Sequence, residues 1–146
     1  MVSCLSCSHQ RRHVFPTGKL IVTVHRARGI KGDEMIGLGK ADPYAEVKLG
    51  GTDHGGSTAH TPVARNAGSD PVWNHPLIFP IRSKHEEYNE LSIVLFNKNL
   101  WSDKQLGEIS IKNIQELSWN RRLTAVPEEW HRVSYKENVR GEVLLS

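Results

Sequence analysis

Cysteine is nearly missing from this 146-residue chain, and the two present, Cys4 and Cys7, both fall within the first ten residues. The rest of the chain has none, so no disulfide framework holds it and its stability must come from a packed core. That usage suits a reducing compartment, and a cytoplasmic protein is expected. Long hydrophobic runs are missing too. No stretch approaches the roughly 18 apolar residues that span a bilayer, and Met1 to Gln10 lacks the apolar segment of a secretory signal. With Val2 standing where glycine would be needed, N-myristoylation is not expected.

Catalytic signatures are also lacking. There is no Gly-x-Ser-x-Gly elbow, no Walker loop and no His-Glu-x-x-His. Gly37-Leu38-Gly39 has no third glycine and reads as a turn rather than a nucleotide fingerprint. The eight histidines are scattered, and sequence neighbours alone do not make a site. An enzyme is therefore not expected. Charge of one sign is not concentrated either: the net charge is +3 and the basic residues are dispersed. No block resembles a nucleic-acid arm, so no nucleic acid partner is expected, while weak attraction to anionic membranes is permitted.

What the chain has in quantity is short alternating runs. Residues 1–17 are polar and aperiodic and read as a flexible N-terminal extension; one domain is expected over 18–146. Eight strands are expected within it: Lys19–Arg26, Pro43–Gly50, Ser57–Arg65, Trp73–Ile81, Glu90–Asn97, Leu106–Lys112, Glu129–Ser134 and Arg140–Leu145. Leu20, Val22 and Val24 share one face of the first, as Ala45, Val47 and Leu49 do in the second. Gly50-Gly51, Gly55-Gly56 and Ser69-Asp70-Pro71 supply turns. Ile114 to Trp119 reads as a short helix in the long connection before Trp130. Several short strands with regular turns predict an all-β, eight-stranded antiparallel sandwich. Pro62, Pro76 and Pro80 are suited to protecting its edges.

Three motifs stand in order on these strands: Gly39-Lys40-Ala41-Asp42-Pro43-Tyr44, then Asp70-Pro71-Val72-Trp73-Asn74, then Leu106-Gly107-Glu108. Together they resemble the C2 domain family over roughly Lys19 to Ser146. Because the chain enters on the strand before the Asp42 loop and ends on a further strand, it is similar to the permuted, type II topology of that family.

The resemblance implies that Gly29–Asp42, Asn66–Pro71 and Asn97–Gln105 gather as three loops at one tip. In calcium-binding members about five carboxylates in the first and third loops hold the ions, as a hard cation with six to eight oxygen ligands requires. Carried over, Asp42 matches one ligand, Ile36 stands where a second Asp is expected, Asn97 and Asn99 replace two more, and Asp103 meets another. Asp33 and Glu34 lie outside that register. Two carboxylates and two amides make a degenerate calcium site, with room for one weakly bound ion and no cofactor required. In the other reading Asp42 caps a turn and the two asparagines are loop residues.

Apolar residues have entered those loops instead. Met35, Ile36, Leu38, Leu100 and Trp101, with Lys40, Lys98 and Lys104 nearby, are candidate membrane-contacting residues. The bland alternative tucks Ile36 and Leu38 under the loop and packs Trp101 on Leu100. Lys48, His60 and Arg65 form a weak candidate phosphoinositide groove, interrupted by Glu46. Cys4-x-x-Cys7 with His9 and His13 is too tightly spaced for an ordinary zinc site. An acylated thiol pair beside Arg11-Arg12 is the better functional expectation, against a tail with idle cysteines.

The expectation is a non-catalytic module for peripheral membrane targeting, with anionic phospholipid as partner and little or no calcium dependence. The alternative is an adaptor that takes a protein partner through the loop tip. Thr58-Ala59-His60 with Trp73-Asn74 is similar to the C2 domain of one such adaptor.

Overall fold

A computed structural model describes residues 18–31, 40–50, 57–81, 90–114 and 127–146. Eight antiparallel strands carry it: β1 (Gly18–Arg28), β2 (Pro43–Leu49), β3 (Ser57–His60), β4 (Val72–Ile81), β5 (Glu90–Asn97), β6 (Lys104–Lys112), β7 (Glu129–Tyr135) and β8 (Asn138–Leu145). Their order is β3-β2-β5-β6-β7-β8-β1-β4. Among the described residues only the rung Glu108↔Ser134 joins β6 to β7. The structure is therefore two four-stranded layers, β3-β2-β5-β6 and β7-β8-β1-β4, closed along one side. The last strand lies against the first, with Val24 opposite Leu145, as the permuted topology requires.

Alternation in the sequence becomes two faces in the fold. Pro43, Ala45, Val47 and Leu49 of β2 and Leu91, Ile93 and Leu95 of β5 point inward. They meet Val22, Val24, Leu77, Phe79, Val133, Val143 and Leu145 from the other layer. Burying a side chain of this size contributes about 1.5–3 kcal/mol, so this interior holds the layers together. In β1 the alternation slips: Val24 and Ala27 are both buried, and the register shifts between Val24 and Arg26. That bulge turns His25 and Arg26 away from the core and lengthens the strand to Arg28. Gly107, in the third motif, is required by packing: a Cβ there would lie 2.3 Å from Val133 Cγ1.

The expected strand Ser57–Arg65 proves too long. Regular pairing with β2 ends at His60. Beyond it Thr61, buried, exchanges two bonds with Ala45: its N–H donates to the Ala45 carbonyl and its Oγ1 accepts the Ala45 N–H, both at 2.9 Å. Pro62 then removes a donor and ends the ladder. In contrast, β6 starts two residues earlier than expected and β8 starts at Asn138 rather than Arg140. Ile114 is helical; the rest of the expected helix lies outside the described residues. Pro76 and Pro80 sit exposed on the edge strand β4.

Candidate functional site: the loop tip

Asp42 is the hub that binds the loops into one tip. Its N–H donates to Asn97 Oδ1 (2.8 Å) and its carbonyl accepts the Lys98 N–H (2.9 Å), tying the first loop to the third. Its Oδ1 accepts the Asn66 N–H and its Oδ2 the Arg65 guanidinium at 3.3 Å, tying the first loop to the second. Further rungs run from Gly68 N–H to the Ala41 carbonyl and from Ile30 N–H to the Ser69 carbonyl, each 3.0 Å. Asp70 accepts the Gly29 N–H at 3.1 Å. The Asp-Pro-Tyr turn is thus a structural keystone: proline fixes the entry of β2, and the carboxylate before it is aimed by the backbone.

Asp103 is occupied in the same way. Its Oδ2 accepts the Tyr44 hydroxyl (2.6 Å) and the Lys98 ammonium (3.2 Å), and its Oδ1 accepts the Asn99 N–H (3.1 Å). These donors, Tyr44 first and then Asn99, hold its carboxyl below the usual range. Burial, together with the Asp103 bond, pushes the Tyr44 hydroxyl up to about 12. Each oxygen of both carboxylates therefore already serves a donor from the chain, and each carboxylate has one cationic neighbour, Arg65 or Lys98. Asn97 has turned its oxygen onto a backbone N–H, and Asn99 contributes its own N–H to Asp103. Among the described residues no group of three or more His, Cys, Asp or Glu side chains is placed to hold a metal ion.

Leu100 and Trp101 form the outermost part of the third loop, each 97% exposed. At that exposure neither covers the other. Lys98 stands beside them on Asp103, and Lys104, also exposed, opens β6 opposite Asn97. Lys40 runs its aliphatic stem along Gly68, at 3.6 Å from where a Cβ would lie. Met35, Ile36 and Leu38 lie outside the described residues, as do Asp33, Glu34, Cys4 and Cys7.

The candidate groove takes shape on the outer face of β2 and β3, where Glu46 lies opposite His60. Glu46 receives the Lys48 ammonium and the His60 ring, each at 2.9 Å. Burial raises its carboxyl, but those two bonds outweigh it and leave the group below its ordinary value. Tyr44 extends this face, its ring stacked on Phe96 at 5.5 Å. With Arg65 drawn to Asp42 and Lys48 to Glu46, the three basic residues do not converge on open space.

A fourth segment reaches the same end of the sandwich, and nothing in its composition announced it. The hairpin between β7 and β8 turns at Lys136-Glu137, and the Lys31 N–H donates to the Arg140 carbonyl (3.0 Å), fastening it to the base of the first loop.

Comparison with known proteins agrees with this architecture. The C2 domain family matches residues 18–133, and the chain belongs to that family. It is 31% identical over 96 residues to a calcium-dependent lipid-binding protein of Arabidopsis thaliana, covering 66% of this chain and 17% of that one. It is 29% identical over 136 residues to elicitor-responsive protein 1 of Oryza sativa subsp. japonica, covering 89% and 82%. A solved structure of two C2 domains of extended-synaptotagmin 2 superposes with a TM-score of 0.69 at 23% identity, over 99% of this chain and 45% of that one. The chain spans 12%, 17% and 31% of the first three curated relatives it matches. No described helix is long and apolar enough to cross a membrane.

Proposed function

We propose that this chain is a non-catalytic membrane-targeting module that docks on anionic phospholipid through its loop tip and does so without depending on calcium. The observation that carries the reading is the full exposure of Leu100 and Trp101 at that tip. Exposing two large apolar side chains side by side is unfavourable in water unless they have somewhere to go, and an indole suits the headgroup level of a bilayer. Lysines at 40, 98 and 104 supply charge of the matching sign, that of Lys98 offset by its pairing with Asp103. Calcium independence is supported by the occupied carboxylates. An incoming ion would have to displace Arg65 from Asp42 and Lys98 from Asp103, and an ion that takes six to eight oxygen ligands gains little from carboxylates already engaged. The name of the Arabidopsis relative speaks for lipid binding in the family and, for that protein, for calcium dependence.

The experiment is co-sedimentation with phosphatidylserine vesicles, once with calcium and once with EGTA. Equal binding in both is expected. Binding only with calcium would overturn the calcium-independent reading. Binding in neither would leave Leu100 and Trp101 as the anchor of a protein partner, which is the adaptor alternative.

A further inference from the structure

The β7–β8 hairpin is built onto the loop tip in a way the Leu100-Trp101 reading does not use. β6 leaves the tip at Lys104, and the single rung Glu108↔Ser134 fixes the height of β7 against it. Because the pair is antiparallel, two further residues along β7 bring the turn level with Leu106, on the side of the third loop. On its other flank the hairpin is fastened by the Lys31–Arg140 backbone bond. Gly141 (φ +122) packs so closely that a Cβ there would lie 2.6 Å from the Arg28 carbonyl oxygen. The hairpin is therefore rigidly seated beside the first loop.

Its turn is strained. Lys136 (φ 47) and Glu137 (φ 68) are consecutive left-handed residues, the conformation of a two-residue hairpin turn that strongly prefers Asn-Gly or Gly-Gly. Neither lysine nor glutamate eases that geometry, so their side chains are kept at a cost, and an observed backbone outlier of this kind points to function. The Lys136 ammonium lies 5.2 Å from the Tyr135 ring centroid and the Arg140 guanidinium 5.5 Å from it, so two cations are grouped on one aromatic. Lys31 and Lys136 are exposed, and Val139 is 58% exposed. Lys31, Lys136 and Arg140 against Glu137 leave a net +2 (three minus one) on this corner.

We infer that this hairpin is a fourth membrane-contacting element, in which Lys136, backed by Lys31 and Arg140, meets anionic phospholipid headgroups when the third loop inserts. The inference rests on the membrane reading above. The occupant is a lipid surface because the corner is continuous with the loop tip and carries the complementary charge. The turn sits back from Leu100 and Trp101, and Lys136 acts through the field of the anionic surface, which extends about 8 Å at physiological salt.

The test uses the whole chain and phosphatidylserine vesicles in EGTA. Lys136→Gly removes the charge and suits the left-handed backbone, so the variant folds. Lys112→Gln removes a charge at the far end of β6, where Lys112 pairs with Glu90. Trp101→Ala reports on the third loop. Weakening of about fivefold by Lys136→Gly, relieved by high salt, with Lys112→Gln unchanged, is the expected result. If Lys136→Gly matches Lys112→Gln while Trp101→Ala loses binding, the hairpin inference is wrong and the docking reading stands. If the unaltered chain does not bind, both fall.

Discussion

Trp101→Ala isolates the docking energy from the folding energy. At 97% exposure the side chain contributes no packing to the folded state, so its removal leaves stability within about 0.5 kcal/mol. An indole exposes on the order of 200 Å², which at about 25 cal/mol per Å² is worth up to about 5 kcal/mol if fully withdrawn from water. Seated at the headgroup level, roughly half of that area is removed, and alanine retains a little of the gain. The expected loss is about 2 kcal/mol, or about thirtyfold in Kd. Leu100→Ala, treated alike, costs about 1 kcal/mol. The two are neighbours, so the double variant need not lose the sum. The assay is vesicle titration followed by sedimentation, with thermal unfolding in parallel. A change below about threefold for Trp101→Ala, with unfolding unaltered, would refute the argument that exposure here serves insertion.

The remaining expectations concern charge. Glu46→Gln frees Lys48 and His60 from the carboxylate that now engages both, and vesicles containing phosphoinositide should then bind about fivefold more tightly; an unchanged affinity would mean this face has no part in lipid binding. Tyr44 has its hydroxyl raised to about 12, above the ordinary value near 10. A raised folded value stabilises below the unfolded one, so this contribution is complete below about pH 10 and is lost as pH climbs through about 12. Tyr44→Phe should flatten the alkaline limb of the stability profile, and a profile identical to that of the unaltered chain would contradict the assignment.

Much of the fold was legible because its strands are half-buried, and a half-buried strand writes its two faces into the sequence. β2 and β5 appeared with the expected bounds, within a residue, since Ala45, Val47 and Leu49 and likewise Leu91, Ile93 and Leu95 recur at every second position and mark the buried face. The errors fell where backbone bonding departs from the ladder. Thr61 continues beside β2 through a side-chain oxygen, which no alternation pattern can distinguish from a strand residue. The β7–β8 connection was bracketed by the strands expected on either side, but its tight two-residue form was not legible, because its left-handed residues are lysine and glutamate, which carry none of the usual turn chemistry.

The loop tip was legible in part. The loss of carboxylates at Ile36, Asn97 and Asn99 could be counted directly. That Asp42 would spend its oxygens on Arg65 and the Asn66 N–H, and Asp103 one of its own on Tyr44, could not be, because those donors come from distant segments that only the fold brings together; Lys98 and the Asn99 N–H reach Asp103 from within its own loop.

The pairing of the last strand with the first fixes where the outer ends of both strands stand. β8 runs away from the hairpin turn and finishes with Ser146 exchanging backbone bonds with Thr23, several residues above the start of β1 at Gly18. Gly18 therefore lies at the end of the sandwich opposite the loops, and Ser146 lies midway along β1. The outer ends of the two strands are thus set back from the four tip elements, as the cable side of a plug lies behind its head.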